Sequence, residues 1–108
     1  MKVVYISGPY RADTEWEVKE NIERAERAAL YFWRKGCAVI CPHKNTAFFG
    51  GAAPDSTWLR GDLELLKRSD AIVLLPGWER SEGAKIELLH ANFWGKEVIR
   101  WDGQREMK

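Results

Sequence analysis

Short unbroken apolar runs and longer stretches of helical periodicity take turns along this chain. Residues 2–7 (KVVYIS) are β-branched and aromatic and stop at Gly8-Pro9, which predicts a buried strand. Residues 15–35 put Val18, Ile22, Ala25, Ala29 and Phe32 on one face with charges elsewhere, the mark of an amphipathic helix, and Gly36 is placed to end it. Residues 37–41 (CAVIC) predict a second strand ended by Pro42, followed by a Gly- and Pro-rich loop over 43–54 (HKNTAFFGGAAP). A second helix is predicted over 56–68, capped by Ser56 or Asp55, with Leu59, Leu63 and Leu66 as its stripe. Residues 70–75 form the third predicted strand, closed by Pro76-Gly77. A third helix over 82–94 ends at Gly95, and 98–101 is a fourth strand.

Strand and helix alternate throughout, and the strands are apolar on both sides. That predicts an α/β domain over residues 1–101: a small doubly wound, flavodoxin- or Rossmann-like parallel sheet of four to five strands with helices on both faces. The polar tail, 102–108, is expected to fray. The third helix carries two stripes, Ala84, Leu88 and Ala91 on one side and Ile86, Leu89 and Phe93 on the other. A helix apolar on two sides is packed on two sides, so a homodimer or higher homo-oligomer is expected.

Composition narrows the function classes. A chain of 108 residues holds one core, and its formal charge of +1 gives no field for a nucleic-acid polymer. No apolar run approaches the roughly 20 residues of a membrane span, and Met1-Lys2 leads straight into a strand, so a cytoplasmic protein is expected. Cys37 and Cys41 are four apart in one predicted strand, about 13 Å, too far for a disulfide. No His or Cys spacing resembles a zinc site. The six tryptophans serve either to anchor core and interface or to stack on a base.

Two acids stand out against this background. Glu87 lies three residues after Ala84 and four before Ala91, which sets it beside the inward stripe of its helix. Asp62 sits within the stripe of the preceding helix. A carboxylate so placed is paired, hydrogen-bonded or used, because burying it unpaired costs several kcal/mol. In open parallel sheets ligands sit beyond the carboxyl ends of the strands. There Gly8-Pro9-Tyr10-Arg11 offers close backbone approach and a positive fork, without the glycine fingerprint of dinucleotide or triphosphate sites. His43, Asn45 and Thr46 are polar groups on a loop at the edge, and Phe48, Phe49, Trp58 and Trp78 are aromatic side chains for a pocket wall. Ser81 opens the third helix either as a plain cap or, with Gly83, as an anion site on unpaired N–H groups.

Three segments carry a resemblance covering residues 3 to about 100. They are Val4-Tyr5-Ile6-Ser7-Gly8-Pro9; Gly61-Asp62-Leu63-Glu64-Leu65-Leu66 with Ser69-Asp70-Ala71-Ile72-Val73; and Ser81-Glu82-Gly83-Ala84-Lys85-Ile86-Glu87-Leu88. In this order and spacing they resemble the nucleoside 2-deoxyribosyltransferase superfamily, especially its small members, the 2'-deoxynucleoside 5'-phosphate N-hydrolases and uncharacterised bacterial and phage relatives. The resemblance implies Glu87 as nucleophile, Asp62 as the acid that protonates the departing base, and Tyr5 as a hydrogen-bond donor to Glu87. It implies substrate contacts at Gly8, Pro9, Arg11, His43, Asn45, Ser81 and Gly83, and it calls for no metal or cofactor. Ser81, six before the nucleophile, matches the phosphate-binding serine of the nucleotide hydrolases, where transferases of free nucleosides tend to have Asp. The chain departs from the pattern at 76–80 (PGWER), at Glu82 and at 42–46 (PHKNT).

The implied reaction cleaves the N-glycosidic bond of a (deoxy)nucleoside 5'-monophosphate through a glycosyl ester on Glu87, two-carboxylate chemistry that asks for acids about 5 Å apart. The alternatives are exchange of bases on free nucleosides and, in another class, a non-catalytic nucleotide-sensing module.

Overall fold

The computed structural model describes residues 1–107. Its elements in chain order are β1 (Val3–Ser7), α1 (Glu15–Arg34), β2 (Ala38–Ile40), α2 (Pro42–Asn45), α3 (Asp55–Lys67), β3 (Ala71–Leu74), a 3-10 turn (Trp78–Arg80), α4 (Glu82–Phe93) and β4 (Glu97–Arg100). The four strands are parallel in the order β2-β1-β3-β4. Strand order therefore reverses at β1, and a crevice opens beyond the carboxyl ends of β1 and β3.

Each face of the sheet has its own apolar cluster. Val4, Ile6, Ala71, Val73 and Ile99 pack with Ala25, Ala28, Ala29 and Phe32 of α1. On the other face Tyr5, Ile72 and Leu74 pack with Leu66 of α3 and Ala91 of α4. Thr14 starts α1: its hydroxyl oxygen accepts from Glu17 N–H at 3.1 Å. Gly36, at φ +94°, follows the last turn of that helix, as its place in the sequence predicts.

Several local expectations are corrected. Residues 43–54 are not all loop, because Pro42 pre-sets the first turn of the short helix α2. Neither Ser56 nor Asp55 caps α3. Pro54 takes that position with no side-chain bond, and Asp55 already lies in the first turn, where its charge suits the helix dipole.

The described part of the tail forms a hydrogen-bonded turn. The Asp102 carboxylate accepts from the N–H groups of Gln104 and Arg105 at 2.7 and 2.8 Å, Gly103 supplies φ +107°, and Met107 N–H returns to Arg100 O at 2.8 Å. Of the tryptophans, Trp101 is buried in the core, whereas Trp16 and Trp33 are more than half exposed. Leu89 and Phe93, the outward stripe of α4, are 68% and 86% exposed in the single chain.

Candidate active site

Strand period brings Tyr5 and Ser7 to the same face of β1, the face that α3 and α4 cover. Helix period turns Glu87 inward between the buried Ala84 and Ala91. The three side chains meet. Tyr5 Oη donates to Glu87 Oε2, and Ser7 Oγ donates to Glu87 Oε1 at 2.7 Å, with all three residues buried. Burial pushes the Glu87 carboxyl up to about 7, and the Tyr5 and Ser7 hydrogen bonds oppose that rise. Burial, followed by the nearby carboxylates, holds the Tyr5 phenol far above its ordinary range, so it remains a donor. Asp62, half-buried on α3, is raised to about 6 by burial. It also pushes Glu87 upward through space.

Glu87 and Asp62 line one cavity of about 1220 Å³ at the carboxyl ends of the strands. Gly8, Pro9, Arg11, His43, Ser81 and Gly83 line it too. Tyr5 stands behind the wall with no exposure and is hydrogen-bonded to the lining residue Glu87. Asn45 is exposed and outside the lining, while Thr46 is part of it.

Two glycines shape the wall. A Cβ on Gly8 would meet Leu75 at 2.6 Å. One on Gly77, at φ +88°, would lie 3.2 Å from both Pro9 and the Arg80 guanidinium. The turn after β1 is tied down at several points. His43 Nε2 lies 2.9 Å from Pro9 O, Asn21 Nδ2 donates to Tyr10 O at 3.1 Å, and Phe48 N–H donates to Tyr10 Oη at 2.7 Å. Since a carbonyl only accepts, His43 carries its hydrogen on Nε2. Burial lowers its pKa, so the ring is neutral and Nδ1 is an acceptor without a partner among the described residues.

At the start of α4 the Ser81 hydroxyl oxygen accepts from Ala84 N–H at 3.2 Å. Glu82 pairs with Lys85 at 2.9 Å, and Arg11 pairs with Asp55 at 2.9 Å on the exposed rim. Arg24 and Arg80 line the cavity as further cations. Among the described residues no group of three or more His, Cys, Asp or Glu is placed to hold a metal ion, and no helix is long and apolar enough to cross a membrane.

Ser7 and Arg80 are not among the residues that the sequence singles out. Ser7 is two residues beyond Tyr5 and so shares its strand face, which was the available signal. Arg80 lies directly before the helix cap.

The parallel sheet with its reversal at β1 and the acid-lined crevice beyond it define a doubly wound α/β protein. The chain is similar to the 2-deoxyribosyltransferase of the psychrotolerant bacterium Bacillus psychrosaccharolyticus, with a TM-score of 0.65 and 22% identity over 91% of this chain and 70% of that one. It is also similar to the 2-desoxiribosyltransferase of Leishmania mexicana, with a TM-score of 0.63 and 20% identity over 100% of this chain and 79% of that one. At these identities the likeness is one of fold. No curated protein matches the sequence. Residues 2–100 match the family described as a domain of unknown function (DUF4406), and the chain belongs to that family.

Proposed function

We propose that the protein cleaves the N-glycosidic bond of a (deoxy)nucleoside 5'-monophosphate through a covalent glycosyl-Glu87 intermediate. The observation that carries this reading is the pair of acids on one cavity: Glu87 held by both oxygens, and Asp62 raised by burial. A carboxylate fixed by hydroxyl donors is an oriented nucleophile, and a carboxyl raised by burial is a proton donor. In the first step Glu87 attacks the anomeric carbon, the C–N bond breaks, and the Asp62 proton goes to the departing base. In the second, water attacks the anomeric carbon and gives a proton to Asp62, and the bond from that carbon to the Glu87 oxygen breaks, which releases the sugar 5-phosphate and ionised Glu87. The net reaction consumes one water.

The 5'-phosphate is assigned to the Ser81 hydroxyl and the N–H groups around Gly83, with Arg11 and Arg80 as cations. Gly8, Pro9 and His43 would border the sugar or base. Of the sequence candidates, Asn45 has no part in this reading, since it stands outside the cavity. The exposed Leu89 and Phe93 of α4 are taken as a homodimer contact.

A second reading, base exchange on free nucleosides, is favoured by the fold shared with two 2-deoxyribosyltransferases. It uses the same intermediate, with a second base in place of water. Incubation with a panel of nucleosides and 5'-monophosphates, followed by chromatography for released base, separates the two. Release from monophosphates alone, with a glycosyl adduct on Glu87 by intact mass, is expected. Exchange on free nucleosides without hydrolysis selects the second reading, and no turnover of any member defeats both.

With Glu87 at about 7 and Asp62 at about 6, the pair holds one proton near neutrality. The reactive form has that proton on Asp62. The expected profile of kcat/KM is therefore a bell with its maximum between about pH 6 and 7.

A further inference from the structure

We infer that Ser7 is a positioning residue for Glu87: by binding the second carboxylate oxygen it keeps the group charged and in one orientation. The terminal torsion of a glutamate is broad, so one hydrogen bond from Tyr5 leaves the carboxylate plane free to turn. A second donor on the other oxygen fixes it. Strand β1 supplies both donors from a single face because Tyr5 and Ser7 are two residues apart.

The Ser7 bond, at 2.7 Å, has the ordinary length of a well-formed hydroxyl–oxygen hydrogen bond, and Ser7 is only 1% exposed. Burial strengthens such a bond. The titratable groups acting on Glu87 are Tyr5 on β1 and Asp62 on α3. Among the described residues, no charged group of the 3-10 turn, β3 or β4, which also pack on α4, acts on it. Without Ser7, burial and Asp62 would be opposed by Tyr5 alone. The catalytic consequence of this role rests on the reading above, but the role itself does not.

The test follows the Glu87 carboxyl carbon by NMR across pH in protein labelled with carbon-13 glutamate, the signal being assigned by its loss in Glu87→Gln. In Ser7→Ala the midpoint should rise by about one pH unit, the worth of one charge-assisted bond. Ser7→Cys keeps the volume with a weak donor and should fall between, while Ser7→Thr keeps the hydroxyl and should stay near the unsubstituted chain. Equal midpoints across the series, or Thr moving as far as Ala, overturn the proposal. Thermal unfolding of each variant checks the fold, and the Cys and Thr variants decide the matter should Ala fail to fold. In activity, Ser7→Ala should lower kcat/KM about tenfold on the acidic limb and at the maximum, because the form with Glu87 ionised and Asp62 protonated becomes that much rarer, and the basic limb should move up by the same unit. A chain that releases no base from any nucleotide defeats the proposed function, while the NMR series still decides Ser7.

Discussion

Strand β1 has two faces with opposite chemistry. Val4 and Ile6 look toward α1 and enter a cluster of aliphatic and aromatic side chains. Tyr5 and Ser7, one residue out of step, look toward α3 and α4 and end in hydroxyls on a buried carboxylate. The same backbone, with the same buried hydrogen-bond ladder, serves both. The α1 face supplies cohesion through apolar packing, and this lets the opposite face carry an acid whose ionisation burial opposes. A polar group of this kind persists only where its oxygens are satisfied, and β1 meets that condition from a strand already locked between β2 and β3.

The contrast breaks most sharply at Glu87. Glu87→Gln should lower base release by about 10³-fold or more, because an amide is no nucleophile at the anomeric carbon. Chromatographic rates at saturating nucleotide measure it; a loss below tenfold would leave Glu87 without the role proposed. On the other face, Phe32→Ala should cost about 3–5 kcal/mol in urea unfolding, the usual result of emptying a fully buried aromatic site. Activity per folded molecule should be unchanged. If Phe32→Ala lowers activity as much as stability, the two faces are not independent.

The pH dependence of stability sharpens the comparison next. The folded state holds the Glu87 proton up to about pH 7, whereas an unfolded glutamate loses it near the ordinary value of 4.5. Between those values the folded protein binds more protons than the unfolded chain, so stability falls as pH rises through the window. The full fall is at most about 3 kcal/mol. Asp62 adds to it between its ordinary value and about pH 6. Urea midpoints at pH 5 and pH 8 should therefore differ, and Glu87→Gln should remove most of that difference. A wild-type midpoint independent of pH would mean that Glu87 is not held as described.

Much of this division was legible in the sequence, and the parts that were not have local causes. The runs at 3–7 and 71–74 read as buried strands because they are apolar on both faces, and Glu87 stood out because it interrupts a helical stripe. Ser7 was hidden by chemistry, since a serine before a Gly-Pro turn looks like part of the turn until the strand period is carried one step further. His43 and Asn45 looked equivalent on a loop. In a helix, residues two apart point about 200° apart, so His43 goes in and Asn45 goes out, while Thr46, three on from His43, returns to the cavity. The turn at 102–106 was announced by Asp102-Gly103, a hairpin signal outweighed by the polarity of the tail.

The smallest effect belongs to the rim that joins the two faces at the mouth of the cavity. Tyr10 Oη accepts from Phe48 N–H, and Phe48 holds a φ of +62°, a left-handed conformation uncommon for a bulky residue. The hydroxyl thus ties the turn after β1 to the segment between α2 and α3. Tyr10→Phe removes the acceptor and keeps the ring that meets His43 edge-on at 6.0 Å. The expected cost is about 0.5–1.5 kcal/mol, one hydrogen bond on an exposed segment. Amide exchange should quicken at Phe48 and Phe49 while β1 and α1 keep their protection. Faster exchange in β1 as well would mean that the rim is part of the sheet's own cohesion rather than a tether hung from it.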